Sequence, residues 1–169
     1  MVFVPETETD FATDPFFDIF GTATIEFGLG YDLDTNIIAL MSVMLVSYVA
    51  HALGPEYEGA YDFEFGIREQ DGERKWKVTA VDFTRETTAK YVSKTDRKLV
   101  LSLICTALKH LVRDVRPDSI TMSTYYANLP PKGLRKYEPV CEGICECGYV
   151  QAECFDGADG RRNWGFKRK

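Results

Sequence analysis

The chain has 169 residues, of which 45% are hydrophobic and 27% charged, and its net charge is −6 at pH 7. These values are ordinary for one globular domain, so they exclude a disordered chain, and the acidic balance argues against a dedicated nucleic-acid binder. The charge is unevenly placed: residues 1–67 hold 12 acidic residues and no basic one, whereas residues 68–169 hold 20 basic and 26 − 12 = 14 acidic residues. Such segregation bears on partners and assembly, not on fold.

The N-terminal third predicts an arm, a short helix and a strand. Residues 1–14 alternate glutamate and threonine without an apolar period, which indicates an extended acidic arm. Asp14 and Pro15 are typical of an N-cap and a first helical residue, so a short helix is expected through residues 16–20, ending at Gly21. Residues 22–29 alternate and predict a strand.

The most apolar segment is residues 37–53, in which 14 of 17 residues are apolar. Asp34 or Thr35 can cap a helix at its start and Gly54 can end it, so the run predicts a buried core helix over 36–53. A membrane span is the alternative, and it is disfavoured because the run is short and its flanks are acidic. The N-terminus has no basic region or small-residue cleavage site, so no signal peptide is expected.

A hairpin is the clearest local pattern. Residues 61–67 alternate aromatic or aliphatic with acidic positions, and residues 75–80 alternate Lys75 and Lys77 with apolar neighbours, across an Asp71-Gly72 turn. Period two on both sides of an Asp-Gly pair predicts two paired strands. Opposite charges on the outer face would help to set their register.

The C-terminal half alternates helices and strands. Residues 84–95 are polar and irregular, and helical spacing of apolar residues predicts an amphipathic helix over 96–113. A strand is expected at 120–125, a short helix near 133–137, a strand over 144–155, and a basic tail over 161–169. The whole predicts a single α+β domain, an antiparallel or mixed sheet with two long helices packed on one face.

No motif points to a cofactor, and none is expected. Four of the five cysteines, Cys141, Cys145, Cys147 and Cys154, are weak zinc candidates, since their spacing misses the usual paired pattern and no histidine is near. Reduced thiols are the favoured interpretation, and no metal site is predicted. His51 and His110 each lie late in an apolar segment, which is more typical of packed histidines than of catalytic bases.

The charged and aromatic ends suggest docking surfaces. Carboxylates and phenylalanines near the N-terminus would meet a basic partner, and cations and rings near the C-terminus an acidic one. The predicted partner-binding residues are Glu6, Glu8, Asp10, Asp14, Phe16, Phe17, Asp18, Phe20, Arg161, Arg162, Trp164, Phe166, Lys167 and Arg168. The expected partners are proteins, copies of this chain included, with nucleic acid only through the tail and no membrane.

From residue 96 onward the chain resembles the second half of the N-acyltransferase fold of the GNAT superfamily, in which a helix, a strand, a short helix and a strand follow in this order. Arg135-Lys136-Tyr137 and Gly148-Tyr149 lie in comparable places. The resemblance implies an acyltransferase that uses acetyl-coenzyme A. The chain departs from it at the glycine-rich pyrophosphate loop, because residues 83–98 contain no glycine. No catalytic residue is therefore carried over.

The same half also resembles small uncharacterised proteins of tailed bacteriophages, through a long apolar helix, the step from Pro117 to Ser123, and the two motifs just named. This resemblance implies a phage setting, in the bacterial cytoplasm or the virion. Our first hypothesis is therefore a non-enzymatic, phage-encoded interaction module: a virion component, or an acidic inhibitor of a host nucleic-acid-binding protein. The GNAT-like acyltransferase is the alternative.

Overall fold

The computed structural model describes residues 3–5, 14–47, 53–71, 85–126, 129 and 132–169. The described strands are β1 Phe3–Pro5, β2 Phe16–Phe17, β3 Ala23–Asp32, β4 Ile37–Val46, β5 Tyr61–Asp71, β6 Ser119–Tyr125, β7 Tyr149–Asp156 and β8 Arg161–Arg168. The described helices are α1 Arg85–Tyr91, α2 Arg97–Val115 and α3 Glu138–Glu146, with 3-10 turns at Pro55–Tyr57 and Gly133–Tyr137.

The strands form one mixed sheet in the order β1-β3-β4-β5-β6-β8-β7, with β2 paired to β3 off this path. Every described pair is antiparallel except β5 with β6. The helices α2 and α3 contact each other, and they pack on the sheet over β3, β4 and β7. The predicted α+β class, a mixed sheet with helices packed on it, is confirmed.

The predicted core helix over 36–53 is wrong, because residues 37–46 form strand β4. The strand lies between β3 and β5 with residues on both faces buried or partly buried. A strand covered on both sides is apolar throughout, so its sequence has the same appearance as a buried helix. Among the described residues, no helix is long and apolar enough to cross a membrane. His51 lies outside the described residues.

The predicted helix at residues 16–20 is also wrong. Phe16 and Phe17 pair with Thr24 and Ala23 of β3, and a turn follows in which the Asp18 carboxylate accepts hydrogen bonds from the backbone N–H groups of Phe20 and Thr22 at 2.8 and 2.9 Å. An aspartate that bonds to nearby backbone N–H groups stabilises a turn as readily as it caps a helix. The local pattern therefore did not distinguish the two.

Three further predicted strands and the amphipathic helix are confirmed. β3 covers the strand expected at 22–29 and continues to Asp32, β6 covers 120–125, and α2 covers 96–113 to within two residues at its C-terminus. β5 confirms the first half of the hairpin. Its second strand, with Lys75 and Lys77, lies outside the described residues. Residues 85–91, expected to be irregular, form helix α1.

Residues 138–156 were predicted only in part. The expected strand over 144–155 begins at Tyr149, since residues 138–146 form helix α3. Pro139 lies in the first turn of this helix, and Gly148 follows its end with φ of 97°, a backbone conformation that favours glycine. These two signals mark the helix boundaries, and the prediction overlooked them.

The predicted basic tail at 161–169 is instead strand β8, which lies between β6 and β7. Trp164 and Phe166 project to the helix-bearing side and are buried, and Phe166 is 0% exposed. Gly165 faces the other side, where the Tyr57 ring covers it so closely that an added Cβ would lie 2.4 Å from the Tyr57 hydroxyl. The segment is therefore part of the core, and its composition of arginines and aromatic rings reflects a strand buried on its apolar face.

Candidate active site

A cleft opens in the sheet where β5 and β6 part. The two parallel strands pair only at Tyr61 with Ile120 and at Asp62 with Thr121. Beyond that point β5 continues along β4 to Asp71, whereas β6 continues along β8 to Tyr125. The register places no strand of the described chain beside β5 on this side after Asp62. The divergence of two neighbouring strands opens a concave space, and Asp62 and Thr121 lie where it begins, so the gap between the strands is a candidate binding site.

Asp62 lies at the apex of this cleft. Its partly buried carboxylate accepts a hydrogen bond of 2.8 Å from the Thr121 hydroxyl on the facing strand. The pKa of Asp62 is raised to about 6, chiefly by burial; the Thr121 hydrogen bond and the Arg161 charge lower it, and the nearby Glu64 carboxylate adds to the rise. A carboxyl with a pKa close to neutrality can exchange a proton with a substrate at physiological pH.

Glu64 is the second acid of the cleft. It lies two residues beyond Asp62 on β5, on the same face of the sheet, since successive strand residues alternate between faces. Burial raises its pKa above the ordinary value. Phe63 and Phe65, which alternate with the two acids, project to the helix-bearing side. The acids therefore face away from α2 and α3.

Tyr137 occupies the helix-bearing side of the same cleft. It ends the 3-10 turn Gly133–Tyr137, and its hydroxyl lies 2.8 Å from the Thr124 hydroxyl of β6. Its ring centroid is 6.2 Å from that of Phe65 on β5 and 5.3 Å from that of Trp164 on β8. Tyr137 thus contacts three strands across the opening. Tyr137 belongs to one of the two short motifs on which the resemblance described above rests, and it lies at the cleft.

The segment that precedes α2 is the place where an acyl-coenzyme A pyrophosphate would be expected to bind. It does not fit a glycine-rich loop: the Ser93 hydroxyl donates a hydrogen bond of 2.6 Å to the Asp96 carboxylate, which stands at the start of the helix. An acidic residue at this position disfavours an anion. Exposed cations flank it, however, at Lys94, Arg97 and Lys98. Any phosphate contact here would come from these side chains.

The N-terminal residues predicted to bind partners lie apart from the cleft. Glu6, Glu8 and Asp10 are outside the described residues. Asp14 is exposed, and the rings of Phe16, Phe17 and Phe20 are 52%, 58% and 70% exposed. Asp18 is engaged in its own turn. A partner role for this group stays a prediction, as do the protein and nucleic-acid partners.

The C-terminal residues of that prediction fold onto the protein's own body. Arg161 donates to the Tyr125 hydroxyl at 2.6 Å, Arg162 makes two hydrogen bonds with Asp156, and Arg168 pairs with Asp118. The Lys167 ammonium lies 5.0 Å from the centroid of the Tyr57 ring. Trp164 and Phe166 are buried. The positive charge of this segment is thus largely met within the chain.

The cysteines do not assemble into a metal site among the described residues. Cys141 and Cys145 lie in α3, Cys147 follows it, and Cys154 is exposed on β7; all four carry free thiols. Burial, with smaller contributions from Cys145 and Cys154, raises the pKa of Cys141 to about 12. This thiol is therefore uncharged at neutral pH, which argues against a role as a nucleophile.

Sequence reasoning missed Asp62, Glu64 and Thr121 as site residues. In the sequence, Asp62 and Glu64 have the pattern of exposed residues on the outer face of a hairpin, so they were not selected as site residues. Thr121 is 59 residues from Asp62 in the chain, and only the parallel pairing of β5 with β6 joins them. No local pattern signals such a contact.

The comparisons with known proteins concern the fold. No protein-family model matches the sequence, and no curated protein matches it. Among solved structures, a protein from Bordetella pertussis assigned to the GnaT acetyltransferase family matches with 14% identity and a TM-score of 0.43. Two chimeras of the spermidine N-acetyltransferase SpeG from Vibrio cholerae and hSSAT match with 16% and 17% identity and TM-scores of 0.34 and 0.33.

These matches cover 86% of this chain and 66%, 66% and 64% of the matched chains, so the protein spans slightly less than two thirds of their length. Likeness at this level carries no information about activity.

The hypothesis of a non-enzymatic, phage-encoded interaction module is wrong. The structures that match are acetyltransferases and none of those reported is a phage or virion protein, so the resemblance to tailed-phage proteins is unsupported. The basic tail on which the hypothesis depended is a strand of the sheet. Both forms of this hypothesis, the virion component and the host inhibitor, are therefore rejected. The acyltransferase alternative is better supported than the interaction module.

The raised pKa of Asp62 predicts how stability depends on pH. The folded protein binds this proton more tightly than the unfolded chain, so stability falls as pH rises from about 3.8 to about 6 and is then level. The penalty above pH 6 is about 3 kcal/mol. Asp62→Asn retains an acceptor for Thr121 and carries no charge, so we expect it to be about 3 kcal/mol more stable than the native protein at pH 8.

Urea unfolding of both proteins at pH 4 and pH 8 measures this difference. At pH 4 the two free energies of unfolding should be nearly equal, because the native carboxyl is then mostly protonated. A difference in the free energy of unfolding that is the same at pH 4 and pH 8 would show that the fold does not oppose ionisation of Asp62.

Proposed function

We propose that the protein is an N-acyltransferase, which transfers an acyl group from a thioester of the acyl-coenzyme A class to an amine. The observation that carries this proposal is the parting of the one parallel pair among the described strands, with Asp62 at its apex. The GNAT-like resemblance of the sequence agrees with it. The cleft offers space for the donor between the two strands and a proton acceptor beside it.

The chain's own residues suffice for the proton transfer. Asp62 in its ionised form accepts the proton of the attacking amine, whose nitrogen forms a bond to the thioester carbon while the carbon–sulfur bond breaks. The thiolate leaves and takes a proton from water. Burial, with a smaller contribution from the neighbouring Glu64, keeps the pKa of Asp62 raised, so the carboxylate is a stronger base than an exposed aspartate.

Lys94, Arg97 and Lys98 take the place that backbone N–H groups hold in a glycine-rich loop. They are exposed at the start of α2 and can contact the phosphates of the donor as point charges. Binding of this kind is screened by salt, so the Michaelis constant for the donor should rise with ionic strength.

The direct test is release of free coenzyme A from acetyl-coenzyme A in the presence of a panel of amines: alkyl, aryl and polyamine compounds, and a lysine-containing peptide. Turnover that requires both protein and amine, with an acetylated product 42 Da heavier by mass spectrometry, would support the proposal. Reactions without amine correct for hydrolysis. Absence of turnover with every amine, together with no thermal shift on addition of acetyl-coenzyme A, would overturn it.

A further inference from the structure

A cavity of about 310 Å³ lies on the helix-bearing side of the sheet, between α3 and strands β7 and β8. Its volume is in the range of small-molecule sites. The residues that give it chemical character are Tyr137, Glu138, Cys141, Glu142, Arg162 and Trp164. Asp62 and Glu64 face the opposite side of the sheet, so the cavity shares Tyr137 with the cleft but not its two acids.

Two aromatic rings form one wall of this cavity. The Tyr137 and Trp164 centroids are 5.3 Å apart with their planes inclined by 31°. Both residues are largely buried, 8% and 6% exposed, so their rings are fixed by the packing around them. The face of an aromatic ring attracts cations, and tryptophan does so most strongly. The Lys136 ammonium, 5.0 Å from the Tyr137 centroid, already makes such a contact with one of the rings.

The charges around the cavity favour a cation. Glu138 and Glu142 lie one helical turn apart on α3, and neither has an ion-pair or hydrogen-bonding partner within the described part of the chain. Arg162, on the opposite wall, makes hydrogen bonds of 2.6 and 2.8 Å with Asp156, which neutralises its charge. Cys141 between the two glutamates is an uncharged thiol. Among the described residues, the cavity lining therefore includes two carboxylates without an ion pair, against one cation beside the wall, the Lys136 ammonium over the Tyr137 ring.

We propose that this cavity binds an organic cation of the alkylammonium class. The ammonium group would lie against Trp164 and within reach of Glu138 and Glu142, and its alkyl part against Leu134 and Cys141. An anion is disfavoured by the two carboxylates, and a neutral apolar ligand would use only the aromatic wall. The site does not depend on the proposed acyltransferase activity.

Choline and its neutral isostere 3,3-dimethyl-1-butanol test the role of the charge. The chain has two tryptophans, so the Trp76→Phe variant leaves Trp164 as the single fluorescent reporter in the cavity wall. We expect choline to change the Trp164 emission in a saturable manner and the isostere to bind at least about tenfold more weakly. Equal binding of the two compounds, or no saturable response to choline, would overturn the proposal.

The carboxylates are tested in the same background. The double change Glu138→Gln and Glu142→Gln should weaken choline binding about tenfold, since two partly exposed ion contacts are lost. Glu58→Gln removes the same kind of charge from the turn that follows Tyr57, outside the cavity, and should leave choline binding unchanged. Both sets of residues are exposed, so the fold is expected to persist, and thermal unfolding verifies it. Choline binding that is unaffected by the double change would refute the assignment.

Discussion

Replacing Asp62 with asparagine is expected to lower kcat/KM for N-acyl transfer by about 100-fold or more. Loss of a positioned general base has this magnitude. Asparagine keeps the size of the side chain and an oxygen that can accept the Thr121 hydrogen bond, so the cleft should retain its shape. The variant should also be more stable at pH 8, as argued above, which separates loss of the base from loss of the fold.

The pH profile of the same variant is the sharper measurement. In the native protein kcat/KM should rise as Asp62 ionises, with an inflection near pH 6, and that inflection should vanish in the variant. Asp14→Asn serves as the matched control, because Asp14 is exposed and remote in the sheet from β5. An unchanged inflection in the Asp62→Asn protein would assign the base to another group, with Glu64 as the next residue to replace.

Phe166→Ala is expected to lower the free energy of unfolding by about 3–5 kcal/mol, the usual cost of emptying the site of a fully buried phenylalanine. Phe17→Ala is the matched control: its ring is 58% exposed at the edge of the sheet, and its loss should change stability by well under half as much. Urea unfolding of both variants provides the comparison. If the Phe166 and Phe17 variants had the same stability, residues 161–168 could not form the buried strand described here.

Helices and strands with one buried and one exposed face were predictable from the sequence. The helix α2 presents Leu108 and Leu111 to the sheet and polar residues to solvent. Its apolar residues therefore recur with a period of 3.6 residues that can be recognised in the sequence. The alternation of Phe63 and Phe65 with Asp62 and Glu64 in β5 reports a strand with two unlike faces. In both cases the immediate neighbours in sequence already contain the information that the fold uses.

Strands with apolar residues on both faces, and strands whose partners are distant in the chain, were not predictable in this way. β4 is buried on one face, where helix α2 packs on it, and has mostly apolar, partly buried residues on the other; a run of that kind has no period to distinguish strand from helix. β8 appears basic and irregular until β6 and β7 pair with it. In the folded protein its arginines form ion pairs with Asp156, Asp159 and Asp118, and its aromatic rings are buried in the core.

The amino-acid sequence by itself determined the class of fold, the amphipathic helix α2, and the strands β3, β5 and β6, because local periodicity and capping are short-range properties of the chain. Only the tertiary structure decided the candidate site. Asp62 acquires a pKa near 6 when β6, from the other half of the chain, packs beside it and removes water from its carboxylate. Desolvation depends on what surrounds a group in space, and residues 59 positions apart give no sign in the sequence that they will meet.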